Sequence, residues 1–290
     1  MSVAIYRIRK NKISKKTGQL IPTPGAGLRL ANKLNADVWT SKTNPSSIDD
    51  KTVVINYGRS LSPDWIEKFN TVSGKILNST EAVSLAVDKR KTLKILELNN
   101  IPCLIWTTVR SQANNWLDAG FKVIARLTAK GKMGNGIVLV NPGEVFPDAE
   151  LYTLFYEKTH EFRVHVFKGK VIDYVQKKKM GSEKLSKYGL SEANDIIRNH
   201  KRGWVFARHG IYNNEYIKTL AINAVESLGL DFAAVDILAK IDNDLHEVVH
   251  AVVCEVNSAP GMSDKNTFNA YTNAFNKYIE SVNQVNEGII

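Results

Sequence analysis

The chain has 290 residues, 43% of them hydrophobic and 23% charged, with a formal net charge of +10. Those values exclude a disordered or collagen-like chain and a small disulfide-stapled module, and they allow one large or two medium globular domains with a substantial core. No apolar run approaches the ~18 to 20 residues that a membrane-spanning helix needs.

Residues 3–8, VAIYRI, read as a first strand, and Pro22 and Pro24 mark a loop. Leu28, Ala31 and Leu34 then recur at helical spacing within residues 27–36. VVINYG at 53–58 reads as a buried strand closed by glycine, Ser62-Pro63 as the opening of a helix, and GKILN at 74–78 as another short strand. Strands alternating with helices predict a small parallel α/β unit, and without a GxGxxG or GxxxxGK[ST] pattern it is no nucleotide site by itself. Residues 78–102 read as one long amphipathic helix capped by Ser79 or Thr80 and ended by Asn100 and Pro102. Residues 120–141 form a strand, a loop with Gly131, Gly134 and Gly136, and a second strand; the glycines let the backbone close over a phosphate and offer N–H donors to it.

In EFRVHV, Glu161, Arg163 and His165 alternate with Phe162, Val164 and Val166, so the three polar side chains share one sheet face. Lys168-Gly169-Lys170 is a hairpin turn, after which Lys177, Lys178 and Lys179 point to an anionic substrate or to solvent. Residues 194–206 are a basic loop or helix end, residues 213–230 an amphipathic helix stopped at Gly229, and residues 265–285 a helix with Phe268, Tyr271, Phe275, Tyr278 and Ile279 on one core-facing stripe. Between the last two helices lie two apolar strands, FAAVDILAK and EVVHAVVCEVN, joined by a short polar segment. The short connection makes them an antiparallel hairpin that brings Asp236 opposite Glu255 and Asn257, with Cys254 and Val256 facing the other way. Two carboxylates and an amide oxygen with no Lys or Arg nearby in the strands make a hard oxygen cluster of the kind magnesium takes.

VDIL, followed nineteen residues after its Asp by EVNSAPGM, resembles the magnesium-binding end of the ATP-grasp superfamily and is similar to ligases of the ribosomal-protein glutamate ligase type. The resemblance implies an α/β (α+β) chain with the ATP-grasp fold: an N-terminal parallel α/β pre-ATP-grasp domain over 1–78 and an ATP-grasp domain over 79–290, with a lid near 103–157 and a C-terminal subdomain over 158–290. It implies ATP and two magnesium ions, or manganese in their place, with Asp236, Glu255 and Asn257 as metal ligands. It further implies that Lys89 (ahead of Lys91 and Lys94), Arg126 and the glycines Gly131, Gly134 and Gly136 hold phosphates. In the same way the backbone at Phe155, Tyr156, Glu157 and Lys158 would hold adenine, Glu161 would accept from the ribose, and Arg163, Arg198 and Asn199 would serve the transferred phosphoryl group. The chain departs from the usual pattern at Arg126, where a Lys before Pro is commonest, in a connection to Gly131 one residue longer, and at Lys132 in place of a small hydroxyl residue. Short bacteriophage ATP-grasp proteins look like this variant.

The implied activity is that of an ADP-forming carboxylate–amine ligase working through an acyl-phosphate. A hydroxyl-phosphorylating kinase on the same fold and a nucleotide-binding protein without turnover share the same ATP residues. The basic excess lies in residues 1–16, with six basic residues and no acid, and in 177–202, with eight basic against three acidic. It predicts that one substrate, the carboxylate or the amine partner, is an acidic peptide or protein tail rather than nucleic acid, since only Tyr188 and Trp204 are at hand for base stacking. The N-terminus has its few apolar residues ahead of its basic ones, unlike a secretory signal, and Cys103 and Cys254 read as buried thiols. A cytoplasmic location without a membrane partner is expected, and a homo-oligomer is compatible with the composition.

Overall fold

The computed structural model describes residues 2–7, 11–13, 20–22, 25–45, 48–72, 74–130, 136–242, 244–245 and 247–286. The N-terminal elements are β1 (Val3–Tyr6), β2 (Asn11–Ile13), β3 (Leu20–Pro22), α1 (Ala26–Lys33), β4 (Asp37–Trp39), β5 (Val53–Asn56), α2 (Ile66–Thr71) and β6 (Lys75–Leu77). Four of these strands form a parallel sheet in the order β4-β1-β5-β6. Its strands are unbroken apolar runs because both faces are covered. Ile5, Ile55 and Leu77 pack on one side with Leu30, and Ala4, Tyr6 and Val54 on the other with Trp39, Trp65 and Phe69. Two expectations shift here: Pro22 ends β3 rather than lying in a loop, and α2 starts at Ile66 rather than at Pro63; the three-residue β4 goes unpredicted because it gives no period to read.

The single helix expected over 78–102 is two, α3 (Thr80–Val87) and α4 (Lys89–Leu98). Ser79 caps the first by accepting from the Ala82 N–H at 3.1 Å. Asp88 between them is extended (φ −104°, ψ 110°), buried, and accepts from the Arg90 N–H at 3.0 Å, so it begins a new helix instead of continuing the old one.

The next unit contains β7 (Trp106–Thr107), α5 (Arg110–Asp118), β8 (Val123–Arg126), β9 (Ile137–Val140) and β10 (Leu151–Leu154), with an antiparallel sheet in the order β7-β10-β8-β9. Helix α5 goes unpredicted because it is mostly polar and fully buries only Ala113 and Leu117.

The C-terminal part runs β11 (His160–Phe167), β12 (Lys170–Lys179), α6 (Ser182–Lys187), a 3-10 turn at His200–Arg202, β13 (Trp204–Ala207), α7 (Glu215–Ser227), β14 (Phe232–Asp242), β15 (Glu247–Asn257) and α8 (Lys265–Asn286). Five antiparallel strands pair in the order β13-β12-β11-β14-β15. Phe162, Val164, Val235, Ile237 and Val253 turn to α3 and α7, and the opposite face carries the polar stripe. Lys168 (φ 47°) and Gly169 (φ 69°) make the two-residue β11–β12 turn, both in the left-handed region that such hairpins demand. Among the described residues no helix is long and apolar enough to cross a membrane.

The N-terminal sheet and the C-terminal sheet share a core in which Ile5, Leu30, Ile55 and Leu77 meet Phe232, Tyr271 and Phe275 of β14 and α8. Asn78 fastens this seam. Its side-chain oxygen accepts from the N–H groups of Asp231 and Phe232 at 2.7 and 3.1 Å, and its amide donates to the Phe232 carbonyl at 2.9 Å. It sits at φ 61°, which asparagine tolerates better than alanine. Asn78→Ala is therefore expected to destabilise the protein by about 2–4 kcal/mol, read as a lowered midpoint in chemical denaturation. A loss under about 0.5 kcal/mol would show that the seam is held elsewhere.

Candidate active site

A cleft of about 630 Å³ opens between β8–β10, the polar face of the five-stranded sheet and the turn after β5. Nine basic and three acidic side chains line it among the described residues, which suits a polyanionic occupant. The cleft has a direction. At one end Tyr156 hydrogen-bonds the His250 carbonyl (2.9 Å), beside an apolar floor of Leu104, Ile124 and Leu238. At the other end Gly58 packs against Ala259, and Arg59, Ser60, Asn257 and Ser258 also line the cleft. At about 3.3 Å per residue, β15 carries the wall roughly 23 Å from His250 to Asn257.

The hairpin β14–β15 pairs Asp236 with Glu255 and Ala234 with Asn257. A bulge makes this possible, since Val253 pairs with Ile237 and Cys254 is the extra residue. Cys254 therefore lines the cleft beside Glu255 instead of facing away as strict alternation predicts, while Val256 enters the core. Burial pushes the Cys254 thiol up and keeps it protonated.

The two hairpin strands bring no cation of their own to these carboxylates, but neighbouring strands supply them. Arg163 on β11 pairs directly with Asp236 and donates to both its oxygens, at 2.6 and 2.8 Å. Lys177 on β12 approaches Asp236 at 3.5 Å and donates a short hydrogen bond to Glu161, which also lies 3.6 Å from Lys158. Burial opposes the Asp236 charge, but Arg163 and Lys177 outweigh it and hold the carboxyl far below the usual carboxylate range. Burial likewise opposes the Lys177 ammonium, and Asp236 and Glu161 raise it. Lys158 is lowered by burial and by Arg198 and Lys177 close by, which Glu161 only partly offsets. Lys89, at the first turn of α4, donates to Glu255 Oε1 at 2.9 Å.

Most of the residues singled out in the sequence converge here: Lys89, Arg126, Phe155, Tyr156, Lys158, Glu161, Arg163, Arg198, Asn199, Asp236, Glu255 and Asn257 all line the cleft. Glu157 and Gly136 do not line it, Lys91 is exposed, and Lys94 pairs with Glu97 at 3.2 Å on the outer face of α4. Gly131, Gly134 and Lys132 lie outside the described residues. His165 does not line the cleft; it is 2% exposed, contacts the Tyr271 hydroxyl at 3.1 Å and is pushed by burial down to about 4. Lys177, expected to point to an anionic substrate or to solvent, is 7% exposed at the centre of the site. Its signal lay in strand parity, since Val175, Lys177 and Lys179 share a face of β12. Phe206 also went unforeseen; its ring lies under Arg163 at 4.9 Å and Lys177 at 5.8 Å.

Among the described residues no three His, Cys, Asp or Glu side chains gather as a metal cage. The donor set that faces the cleft is two opposed carboxylates and the Asn257 amide, whose buried nitrogen lacks a hydrogen-bond partner. Amide orientation is an assignment, so an oxygen at that position completes three hard donors on one face, and the set fits one divalent cation.

Neither a family model nor a curated protein matches the chain. Solved structures do. D-alanine–D-alanine ligase from Bacillus anthracis covers 100% of both chains with a TM-score of 0.62 at 14% identity. The ATP-grasp ligase PsnB covers 97% of this chain and 99% of its own, with a TM-score of 0.59 at 12% identity. A RimK domain protein from Sphaerobacter thermophilus covers 94% of this chain and 99% of its own, with a TM-score of 0.57 at 12% identity. The chain has the ATP-grasp fold. Here the two antiparallel sheets β7-β10-β8-β9 and β13-β12-β11-β14-β15 both contribute residues to the cleft.

Lys177 is predicted to bind this ATP-grasp site together. Lys177→Met should cost about 3–5 kcal/mol in urea unfolding, because two buried carboxylates lose a shared cation. Glu161→Gln added to it should restore part of that loss, whereas additive effects would show that the two residues do not interact.

Proposed function

We propose that the chain is an ATP-dependent, ADP-forming carboxylate–amine ligase. The observation that carries this reading is the facing pair Asp236 and Glu255, set beside Arg163 and Lys177 in a cation-rich cleft. The proposed division into residues 1–78 and 79–290, with the lid over 103–157, puts the cleft between lid and C-terminal subdomain.

The apolar floor beside Tyr156 takes the base, with the 155–158 segment along its edge. Glu161 is already engaged by Lys177 and Lys158, so it acts on the ribose through an oxygen shared with a lysine. The phosphates then run along β15 past Lys89, Arg126 and Lys158. Asp236, Glu255 and Asn257 would hold magnesium, which when bound neutralises phosphate charge. The substrate carboxylate attacks the γ-phosphorus of ATP in line, the bond to the β-bridging oxygen breaks, and ADP leaves with the electron pair. Arg163, fixed by Asp236 and by the Phe206 face, stabilises the charge that spreads over the moving phosphoryl group. The amine nitrogen attacks the acyl-phosphate, loses a proton and expels phosphate, which leaves an amide. Arg198, with its guanidinium 4.2 Å over Trp204 and its Nε unpartnered, stands ready for an oxyanion, with Asn199 beside it.

An acidic peptide is the substrate partner this reading favours. The similar ligase PsnB is known complexed with a precursor peptide. Exposed Lys184 and Lys187 on α6, with Lys201 at the cleft rim, give a cationic approach. Lys177 no longer belongs to that group, and Lys178 turns to the Gly210 carbonyl.

Two results are expected. Glu255→Gln, nearly isosteric, should remove ADP production while circular dichroism and unfolding stay as in the wild type; wild-type ADP release would refute the metal assignment. Replacing Lys184, Lys187 and Lys201 with Gln should raise the KM for an acidic peptide at low salt and leave the KM for ATP within twofold. Mass spectrometry of the product separates the ligase from its kinase rival, since an amide and a phosphorylated hydroxyl differ in mass.

A further inference from the structure

The turn after β5 is built more firmly than a connecting loop requires. Asn56, fully buried, holds it from inside: its Oδ1 accepts from the Arg59 N–H at 2.8 Å and its Nδ2 donates to the Arg59 carbonyl at 2.9 Å. The Tyr6 hydroxyl donates to the Leu61 carbonyl at 2.8 Å. Tyr57 donates through its hydroxyl to the Pro260 carbonyl, and Gly58 (φ 77°) lies so close to Ala259 that an added Cβ would come within 2.6 Å of its methyl group. The turn is thereby locked to the segment that follows Asn257, at the carboxyl end of the parallel strands where α/β sheets bind ligands.

This frame presents one cation. Arg59 lines the cleft, its guanidinium 5.5 Å over the Tyr6 ring. Among the described residues it has no carboxylate partner, and its Nε is buried without a hydrogen-bond acceptor. An Arg with a dry donor is costly to leave unpaired, and its fork matches a planar carboxylate. By the direction of the cleft, Arg59 lies beyond the Asp236–Glu255 pair, on the side away from Tyr156. We propose that Arg59 anchors a second, unreacted carboxylate of the substrate, so that the acid activated here is at least a dicarboxylate, such as an acidic amino acid or a run of acidic residues in a peptide. This rests on the ligase reading and narrows it. Arg59 is a binding and specificity residue in it and takes no part in the phosphoryl transfer.

The test uses the full-length protein with magnesium and the non-hydrolysable nucleotide AMPPNP, and the peptides hexaglutamate and hexaglutamine as probes. Calorimetry should show hexaglutamate binding to the wild-type nucleotide complex and hexaglutamine binding at least tenfold more weakly. Arg59→Leu should weaken hexaglutamate at least tenfold and leave AMPPNP affinity within twofold. Arg59→Lys should recover only part of the loss, because a point charge replaces the fork. Equal hexaglutamate binding by wild type and Arg59→Leu, or no hexaglutamate binding by the wild type, overturns the inference. A tenfold loss of AMPPNP affinity in Arg59→Leu also overturns it and makes Arg59 a phosphate contact. These arms do not depend on turnover. ADP release by the wild type with no amide formed would refute the ligase reading while leaving the binding result standing.

Discussion

Asp236 cannot be buried in this sheet unless a cation is buried with it, and the arrangement of the C-terminal half follows from that. The residue is 5% exposed inside a strand whose neighbours are alanine, valine and isoleucine. A lone carboxylate there would cost several kcal/mol and would take up a proton instead. Arg163 meets it directly across the β11–β14 register, and Lys177 reaches it from one strand further out. Only the order β12-β11-β14-β15 places both cations on the side that also faces Glu255. The charge cluster and the strand order therefore specify each other.

The two carboxylates of the pair are held differently. Asp236 is bound through both oxygens, in burial, where the pairing is strong. Glu255 has a side chain 31% exposed and a single lysine partner, Lys89, on a neighbouring helix. A pair at that exposure contributes little. Glu255 is thus the carboxylate able to exchange its partner for an incoming cation, while Asp236 and Arg163 stay together as a fixed frame. Lys89, once released, would on the proposed reading be free to meet the phosphates, since it already lines the cleft. The break at Asp88 matters for this reason, since a continuous helix over 78–102 would set Lys89 at a different angle to the cleft.

Much of this was legible in the residues. The parity of Asp236, Glu255 and Asn257 in apolar runs located the hairpin and its polar face, because a charge in such a run is costly without a purpose. The alternation at Glu161, Arg163 and Val164 gave the facing strand in the same way. What stayed hidden depended on neighbours in space. No local pattern marks the Cys254 bulge, and Lys177 sits within three consecutive lysines that look like a solvated patch. Helix α5 and strand β4 are too polar or too short to carry a period. His165 keeps the stripe's face, since β11 pairs with β14 without a break, but α8 covers that end of the sheet and the Tyr271 hydroxyl contacts its ring.

The same contrast separates two kinds of basic residue. Of the cations between 177 and 202, Lys177 and Arg198 are buried in the cleft, whereas Lys184, Lys187 and Arg202 are exposed. The buried ones have fixed partners and definite geometry, so they can act on one atom of a bound molecule. The exposed ones are screened beyond about 8 Å at physiological ionic strength and act on encounter rather than on geometry. Arg59, half-buried, resembles the first kind in its definite geometry although it comes from the other sheet: its backbone is clamped by Asn56, its guanidinium lies over the Tyr6 ring, and it lines the cleft. On the proposed reading, a cleft that takes one polyanion along β15 and keeps a separate, preorganised fork beyond it is suited to two anions in line, and the substrate would bring the second.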